Sequence, residues 1–189
     1  MDTVENFVLI ERMGALIRSE ERKKCTELGL QPVHVQTLDY LSRCNRYSDT
    51  PAALTCYLGM TKGTVSQTVL VLERKGYLAK VGDAVDKRKV HLHLTAAGEE
   101  ILQQAKPMEL FSLASDTLDQ SEKDIDKEVF VQALSALQKA NKSESFGLCK
   151  TCRHFTTTND GFLCGLTKEA LTRTDSEKIC KEHTFHAAN

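Results

Sequence analysis

Four cysteines near the end of this 189-residue chain carry the clearest chemical signal in the sequence. Cys149 and Cys152 form a Cys-x-x-Cys pair, and Cys164 and Cys180 follow at longer intervals. A Cys-x-x-Cys turn presents two thiolates together, and two further thiolates complete the tetrahedral ligand set that zinc prefers. The spacing therefore predicts a small metal module, with structural zinc on these four thiolates as the first candidate.

Other ligand arrangements remain open for the same segment. His154 or His183 could replace one thiolate. An iron–sulfur cluster could use the same four thiolates, and the segment would then sense iron or redox state. Disulfides or free thiols are the remaining alternatives. Because a segment near the limit of about 40 residues usually needs a metal or disulfides to fold, we expect the ion to be part of the fold.

The other three cysteines are scattered through the first third of the chain. Cys25, Cys44 and Cys56 are expected to be packed or partly buried thiols, with an oxidation sensor as the alternative for one of them. The sequence has no His-Glu-x-x-His helix and no obvious Glu beside an incomplete ligand set, so we do not expect an open catalytic zinc site. We expect the protein not to be an enzyme.

A second group of candidate residues lies between Thr50 and Thr95. Basic residues exceed acidic residues there by four, although the whole chain has a net charge of -1. Val65, Val69 and Leu72 recur at helical spacing, so the helix that buries them turns its polar residues outward. Such a surface can enter a major groove, where Gln67 could read adenine. The candidate DNA-binding residues of this helix are Thr61, Lys62, Gly63, Thr64, Ser66 and Gln67.

The charged loop that follows completes this candidate surface. Lys87, Arg88 and Lys89 can reach phosphates, and Arg88 is the residue that we expect in a minor groove. Asp86 is included in the same candidate set. His91 and His93 come next, on the wet face of the following strand, and are interpreted as solvent-exposed.

The elements that position these residues form a predicted helix-turn-helix followed by a β-hairpin. Thr50 and Thr61 are typical helix N-caps, and Gly59 and Gly76 are typical C-terminal stops. Two strands are predicted at Tyr77–Val81 and Lys89–Leu94, with a loop between them. This hairpin forms a wing beside the two helices.

Longer helices are predicted on both sides of this unit. One spans Asp2 to about Cys25, and a second is opened by Pro32. After the wing, Thr95 caps a helix that restarts at Pro107, and a last helix begins at Ser121 with Asp124 in an approximate capping box. These helices have more apolar surface than the small winged-helix unit can cover. We therefore expect the remaining surface to form the interface of a homodimer.

These elements define the predicted fold class and domains. The class is mainly α, an α+β winged helix-turn-helix with a helical dimerisation region and a four-cysteine module. The units are residues 1–48 (N-terminal helices), 49–98 (DNA-binding lobe), 99–145 (C-terminal dimerisation helices) and 146–189 (cysteine-rich tail). The balanced charge, the 41% hydrophobic content and the lack of long apolar runs predict a folded cytoplasmic protein without a membrane partner or signal peptide.

Residues 50–98 resemble the MarR family of dimeric winged-helix transcription regulators. The resemblance rests on Leu58-Gly59-Met60-Thr61-Lys62-Gly63-Thr64-Val65-Ser66-Gln67, Leu72-Glu73-Arg74-Lys75-Gly76-Tyr77-Leu78, and the run from Asp83 to Gly98 with its Asp-x-Arg and Leu-Thr-x-x-Gly motifs. The family pattern implies that Asp86 steers Arg88. It also implies a small, often aromatic inducing ligand between the dimer helices and the DNA-binding lobe. The family often has arginine at the position of Gln67, so its base preference does not transfer.

The expected function is sequence-specific DNA binding by a homodimer. Two recognition helices would enter successive major grooves of a pseudo-palindromic operator and repress by blocking polymerase. A different class of function is a winged helix that binds proteins and never contacts DNA. The further alternative is a regulator whose input is redox state or iron at the tail.

Overall fold

The computed structural model describes residues 3–84, 86–119, 127–140, 146–158 and 161–184. Within these residues, no helix combines the length and the apolar composition that crossing a membrane requires.

The chain begins with two helices, as predicted. Helix α1 spans Thr3–Glu27 and helix α2 spans Pro32–Arg43. Proline at the first position of α2 costs no hydrogen bond, because the first N–H groups of a helix have no intrahelical partner. The backbone N–H of Gln31 donates to Nδ1 of His34, which closes a capping box at the same end.

The predicted helix-turn-helix is present. Helix α3 spans Pro51–Leu58 and helix α4 spans Lys62–Arg74. The hydroxyls of Thr50 and Thr61 accept hydrogen bonds from backbone N–H groups in the first turns of α3 and α4. Gly59 ends α3 with φ 62°, a left-handed conformation that glycine adopts without strain. Local capping and turn chemistry therefore fix the reversal between the two helices.

The wing is an antiparallel hairpin. Strand β1 spans Leu78–Gly82 and strand β2 spans Val90–Leu94, with Leu78 opposite Leu94 and Gly82 opposite Val90. Each strand begins one residue later than the sequence predicts. The period-two pattern is confirmed, because Leu92 is buried while His93 on the opposite face is exposed.

One apolar core joins the helices to the wing. Its centre consists of leucines with at most 2% exposure, each from a different element (α2, α3, α4, β1, β2 and the helix after the wing, α5, Ala96–Ala105): Leu38, Leu54, Leu72, Leu78, Leu92 and Leu102. Burial of one such side chain contributes about 1.5–3 kcal/mol to folding. The recognition helix and the wing therefore share one rigid support.

Three helices follow the wing: α5 (Ala96–Ala105), α6 (Met108–Asp119) and α7 (Lys127–Ala140). Pro107 separates α5 from α6, as predicted, since proline cannot donate the hydrogen bond that would continue the helix. The predicted cap and capping box at Ser121 and Asp124 lie outside the described residues. Helices α1, α6 and α7 expose apolar side chains in the single chain: Val4, Val8, Leu9, Met13, Leu16, Ile17, Met108, Leu110, Phe111, Leu113, Val129, Phe130, Val131, Leu134 and Leu137.

The tail consists of short elements. In chain order they are β3 (Gly147–Leu148), a 3-10 turn (Cys149–Thr151), β4 (Phe155–Thr158), β5 (Gly161–Cys164), β6 (Ala170–Leu171), α8 (Arg173–Ser176) and β7 (Ile179–Cys180). Strand β3 pairs with β7, and β4, β5 and β6 form a second antiparallel sheet in that order.

Part of the apolar content of the tail packs onto the winged-helix core. Ile179 is buried in that core, and Phe146 and Leu148 pack against it. The ring of Phe146 lies 5.2 Å from that of Tyr57 and 6.4 Å from that of Tyr40, in edge-on contacts that favour aromatic pairs. The tail therefore shares a core with the rest of the protein and does not fold around its own apolar residues alone.

Gly98, in the Leu-Thr-x-x-Gly motif, gives a test of this packing. A Cβ at Gly98 would lie 1.9 Å from the carbonyl oxygen of Tyr77, so α5 can approach β1 this closely only with glycine. We expect Gly98→Ala to lower the free energy of unfolding by about 2 kcal/mol or more, measured by chemical denaturation. Gly63→Ala is the matched control, because its Cβ would lie 3.8 Å from the nearest atom and alanine favours a helix. Equal stability of the two variants would contradict the packing argument.

Candidate nucleic-acid interface and cysteine cavity

The predicted recognition residues share one exposed surface at the start of helix α4. The side opposite them is buried through Val65, Thr68, Val69 and Leu72. The Thr61 hydroxyl accepts from the backbone N–H of Thr64 at 3.2 Å, so Thr61 is also the structural cap of this helix. All six predicted residues are exposed: Thr61, Lys62, Gly63, Thr64, Ser66 and Gln67. The face can therefore offer hydroxyl, amide and ammonium groups to a partner.

The wing loop holds Arg88 in a defined position. Arg88 Nε donates to Asp86 Oδ1 at 3.0 Å, Nη2 lies 3.3 Å from Oδ2, and the Arg88 backbone N–H donates to Oδ1 at 3.1 Å. These hydrogen bonds hold the pKa of Asp86 below its ordinary value. The Arg88 side chain is 91% exposed, and Lys87 and Lys89 beside it are exposed as well. The predicted pairing of Asp86 with Arg88 is present, and it directs a cation outward.

A hydrogen-bonded group of three side chains connects the wing to the helix-turn-helix. His91 Nδ1 lies 2.5 Å from Asp49 Oδ1, and His91 Nε2 lies 3.1 Å from Asp83 Oδ2. Asp49 immediately precedes the cap of α3, whereas Asp83 lies at the base of the wing loop. Hydrogen bonds to the two carboxylates raise the pKa of His91, first from Asp49 and then from Asp83. We call Asp49, His91 and Asp83 the wing brace.

The interpretation of His91 as a solvent-exposed residue is wrong. Alternation along β2 places His91 on the polar face, but Asp49 comes from 42 residues earlier in the chain and covers it. The interpretation is correct for His93, whose side chain is 54% exposed, although His93 Nε2 also lies 3.3 Å from Asp49 Oδ2. Apolar residues on both sides of a histidine, here Val90 and Leu92, give no signal for a distant carboxylate, so the sequence could not reveal the brace.

The four tail cysteines line a single cavity of ≈ 20 Å³. His154 lines it too, and Asn45 and Tyr47 from the segment between α2 and α3 form part of its wall. This volume is about enough for one water-sized particle. The structure thus brings together the four residues that the spacing predicts: Cys149, Cys152, Cys164 and Cys180.

The thiols occupy different electrostatic environments. Burial and then the nearby thiols of Cys180, Cys164 and Cys152 raise the pKa of Cys149 to about 12. Burial also raises the pKa of Cys164, but hydrogen bonds from Thr167 and the backbone outweigh it, and the net direction is downward. Cys149 and Cys164 therefore differ in how readily they lose a proton, although both line the same cavity.

The thiols are not arranged as a finished ligand set. Among the described residues, no group of three or more His, Cys, Asp or Glu side chains is placed to hold a metal ion. His183 does not line the cavity, and its Nε2 lies 3.0 Å from the Thr151 hydroxyl. Ligation would therefore require the thiols to turn toward a common centre, with His154 as the nearer histidine.

The other cysteines differ in burial. Cys25 and Cys44 are buried thiols, as predicted. Burial raises the pKa of Cys44 to about 12, so it is protonated at neutral pH. Cys56 is exposed, and the expectation that it is packed or partly buried is wrong. It lies on α3, where the apolar pattern of the sequence does not separate the buried side from the surface.

Comparison with known proteins identifies the class of fold. The MarR family model matches residues 28–89, from the end of α1 through the wing loop. Similar solved structures include the transcriptional regulator Tm0710 from Thermotoga maritima, with 22% identity and a TM-score of 0.54 over 76% of this chain and 100% of that chain. The transcriptional regulator BldR from Sulfolobus solfataricus has 19% identity and a TM-score of 0.53 over 74% and 99% of the two chains.

MepR from S. aureus, solved in complex with DNA, has 22% identity and a TM-score of 0.50 over 75% of this chain and 98% of that chain. No curated protein matches the sequence. Residues 28–89 thus match the MarR family model, and the chain shares the winged-helix fold of these solved structures. About a quarter of it has no counterpart in Tm0710, although all of Tm0710 is matched.

The wing brace predicts a specific pH dependence. The pKa of His91 is raised above its ordinary value of 6.5, so the brace contributes stability that is fully present below about pH 6.5 and is lost as the pH rises through the raised pKa. We expect His91→Gln to lower the free energy of unfolding by about 1 kcal/mol at pH 6 and by less at pH 9. Denaturation curves at both pH values measure this difference. His93→Gln is the comparison and should cost less, because its contact with Asp49 is longer and its side chain is 54% exposed. An equal loss for His91→Gln at both pH values would argue against a charged His91.

Proposed function

We propose that this protein is a DNA-binding transcription regulator that acts as a homodimer, with repression as its mode of action. The observation that carries the proposal is the joint placement of an exposed polar helix face and an outward-directed Arg88 on one winged-helix core. A helix of this kind fits a major groove, and an arginine on a wing fits the adjacent minor groove. The DNA complex of MepR supports the proposal, because that protein shares the fold.

The charge distribution favours nucleic acid over a protein partner. Basic residues exceed acidic ones by four between Thr50 and Thr95, within a chain of net charge -1. Lys80 is paired with Glu73 at 2.7 Å, whereas Lys87, Arg88 and Lys89 are exposed at the wing tip. When a concentrated cationic tip binds phosphates, it releases counterions from the DNA, and this release increases the affinity. A winged helix that binds neutral protein surfaces has no use for such a tip.

The homodimer is supported by the exposed apolar faces of α1, α6 and α7. Leu16, Leu113 and Leu134 are each more than half exposed in the single chain. A contiguous apolar surface on helices is typical of a subunit interface. A two-fold dimer of these helices would present two copies of α4 to a pseudo-palindromic operator, with the half-sites one helical turn apart.

A groove between the helical region and the winged helix could take an inducing ligand. Its volume is ≈ 440 Å³, within the range of sites for small molecules. Ile17 and Phe111 provide apolar walls, and Asp39 and Lys106 provide a polar edge with 3.3 Å between Lys106 Nζ and Asp39 Oδ1. A ligand here would contact α1, α2 and α6 together and could change the spacing between the two DNA-binding lobes.

Substitution of Arg88 tests the DNA-binding proposal. We expect Arg88→Ala to weaken binding to the region upstream of the protein's own coding sequence on the order of tenfold. The magnitude of the slope of log affinity against log salt should fall by about 0.9, since the DNA loses one cation that displaces a counterion from its backbone. Fluorescence anisotropy over a salt series measures both. Arg173→Ala, an exposed arginine on α8, removes the same charge and should change neither quantity. Identical behaviour of the two variants would contradict the role of the wing.

We also propose that the tail holds one zinc ion on Cys149, Cys152, Cys164 and Cys180. The support is their common cavity, whose ≈ 20 Å³ suits a single ion better than a multi-iron cluster. Four thiolates form a closed ligand set, which gives a structural role. The alternative, an iron–sulfur cluster on the same thiolates, would require the cavity to expand and would make the tail a sensor of iron or redox state.

Elemental analysis of protein purified without oxygen tests the metal site. We expect one zinc per chain and a lower melting temperature after treatment with a chelator. Cys164→Ser should lose zinc, whereas Cys56→Ser, which changes an exposed thiol outside the cavity, should retain it. Detection of iron and inorganic sulfide, together with visible absorbance, would support an iron–sulfur cluster in place of zinc. If the purified protein contains no metal and a chelator does not change its melting temperature, the metal proposal is wrong.

A further inference from the structure

A linker, residues 44–49, lies between the cysteine cavity and the wing, and it is buried at Cys44, Asn45, Ser48 and Asp49. On the tail side, the backbone N–H of Asn45 donates to the carbonyl of Ile179 at 2.9 Å. The backbone N–H of Lys181 donates to the Ser48 hydroxyl, also at 2.9 Å. Asn45 and Ser48 are at most 2% exposed, so water does not compete for these hydrogen bonds. Strand β7, which carries Cys180, is therefore fixed to the linker on both sides of that cysteine.

The other end of the linker holds the wing. The Asp49 carbonyl accepts from the backbone N–H of Leu92 at 2.7 Å, and its carboxylate belongs to the wing brace. The brace continues through Asp83, whose Oδ1 accepts from the backbone N–H of Asp86 at 2.6 Å. Asp86 in turn holds Arg88. A continuous set of hydrogen bonds thus leads from the strand of Cys180 to the cationic tip of the wing.

Within the tail, strand β7 pairs with β3 over two positions, Gly147 with Cys180 and Leu148 with Ile179. The four thiols come from three separate segments: the 3-10 turn and the residue that follows it, the end of β5, and β7. An ion bound to all four would cross-link these segments. Without the ion, β7 would keep the burial of Ile179 and its hydrogen bonds to the linker, but it would lose its link to the other thiol segments. The ion would therefore decide how firmly β7, and the linker bonded to it, are joined to the rest of the tail.

We propose that zinc in the four-cysteine cavity positions the wing through residues 44–49, and that the zinc-loaded protein is the form that binds DNA more tightly. The inference rests on the proposed function, because it needs both the zinc site and the DNA-binding wing. The coupling is reciprocal, so DNA raises the affinity for zinc by the same factor as zinc raises the affinity for DNA. Zinc would then regulate the protein as well as stabilise its tail.

Affinity measurements on the full-length protein with and without zinc test the coupling. We expect zinc-loaded protein to bind the upstream DNA about tenfold more tightly than chelator-treated protein, within the usual range of coupling between sites. His91→Gln and Ser48→Ala interrupt the path on the wing side and on the tail side of the linker. Both variants should keep one zinc per chain and reduce the ratio of the two affinities toward one. Arg173→Ala, on the tail surface, should keep the full ratio.

Hydrogen exchange provides a second measurement that does not depend on DNA. In the wild-type protein, removal of zinc should speed amide exchange in residues 44–49 and 86–92. In His91→Gln, the effect of zinc removal on residues 86–91 should shrink, while Leu92, which stays bonded to the Asp49 carbonyl, and residues 44–49 should still respond. The two segments therefore report separately on the tail side and the wing side of the path.

The outcomes separate this inference from the proposed function. If the protein binds one zinc and binds DNA through Arg88, but the affinity for DNA and the exchange of the wing are the same without zinc, the coupling is overturned and the proposed function stands. If no zinc binds, or if DNA binding is absent, the proposed function fails and the coupling fails with it.

Discussion

The buried carboxylate of Asp49 imposes a constraint on the winged-helix unit. A carboxylate that is 8% exposed is costly unless cationic or hydrogen-bonding groups compensate for its lost hydration. His91 and His93 provide that compensation from β2. The backbone N–H of Leu92, between them, donates to the carbonyl of Asp49. The wing must therefore lie against the start of α3. Asp49 has this position because the preceding linker is packed against the tail.

The short motifs of the wing have direct physical explanations in this structure. Gly98 is required because the carbonyl oxygen of Tyr77 occupies the space that a Cβ would need. Thr95 takes part in the same contact between the start of α5 and the residues before β1. Its hydroxyl donates to the carbonyl of Gly76 and accepts from the N–H of Gly98. The Asp-x-Arg spacing lets one carboxylate accept from both the backbone and the side chain of Arg88. Each motif fixes one contact between the wing and its neighbours.

The tail is structurally continuous with the winged helix. Ile179 is buried in the main core, Phe146 packs against the tyrosines of α2 and α3, and Asn45 forms part of the wall around the thiols. A segment that shares its core in this way cannot change its own packing without affecting the linker beside it. The same contacts that stabilise a small cysteine-rich segment also join it to the winged-helix unit.

Features that depend on residues close together in the chain are predictable from local sequence patterns. Caps such as Thr50 and Thr61, the stop at Gly59, the hairpin and the pairing of Asp86 with Arg88 all involve groups a few residues apart, and their patterns are readable. The cysteine spacing likewise predicted which thiols meet.

The contacts that join these units connect residues far apart in the chain, and local patterns do not predict them. The contact of His91 with Asp49 spans 42 residues, and that of Lys181 with Ser48 spans 133. A polar residue on a strand looks the same in sequence whether it faces water or a distant carboxylate. Its environment is set by which buried surfaces meet, and that depends on the packing of the whole chain.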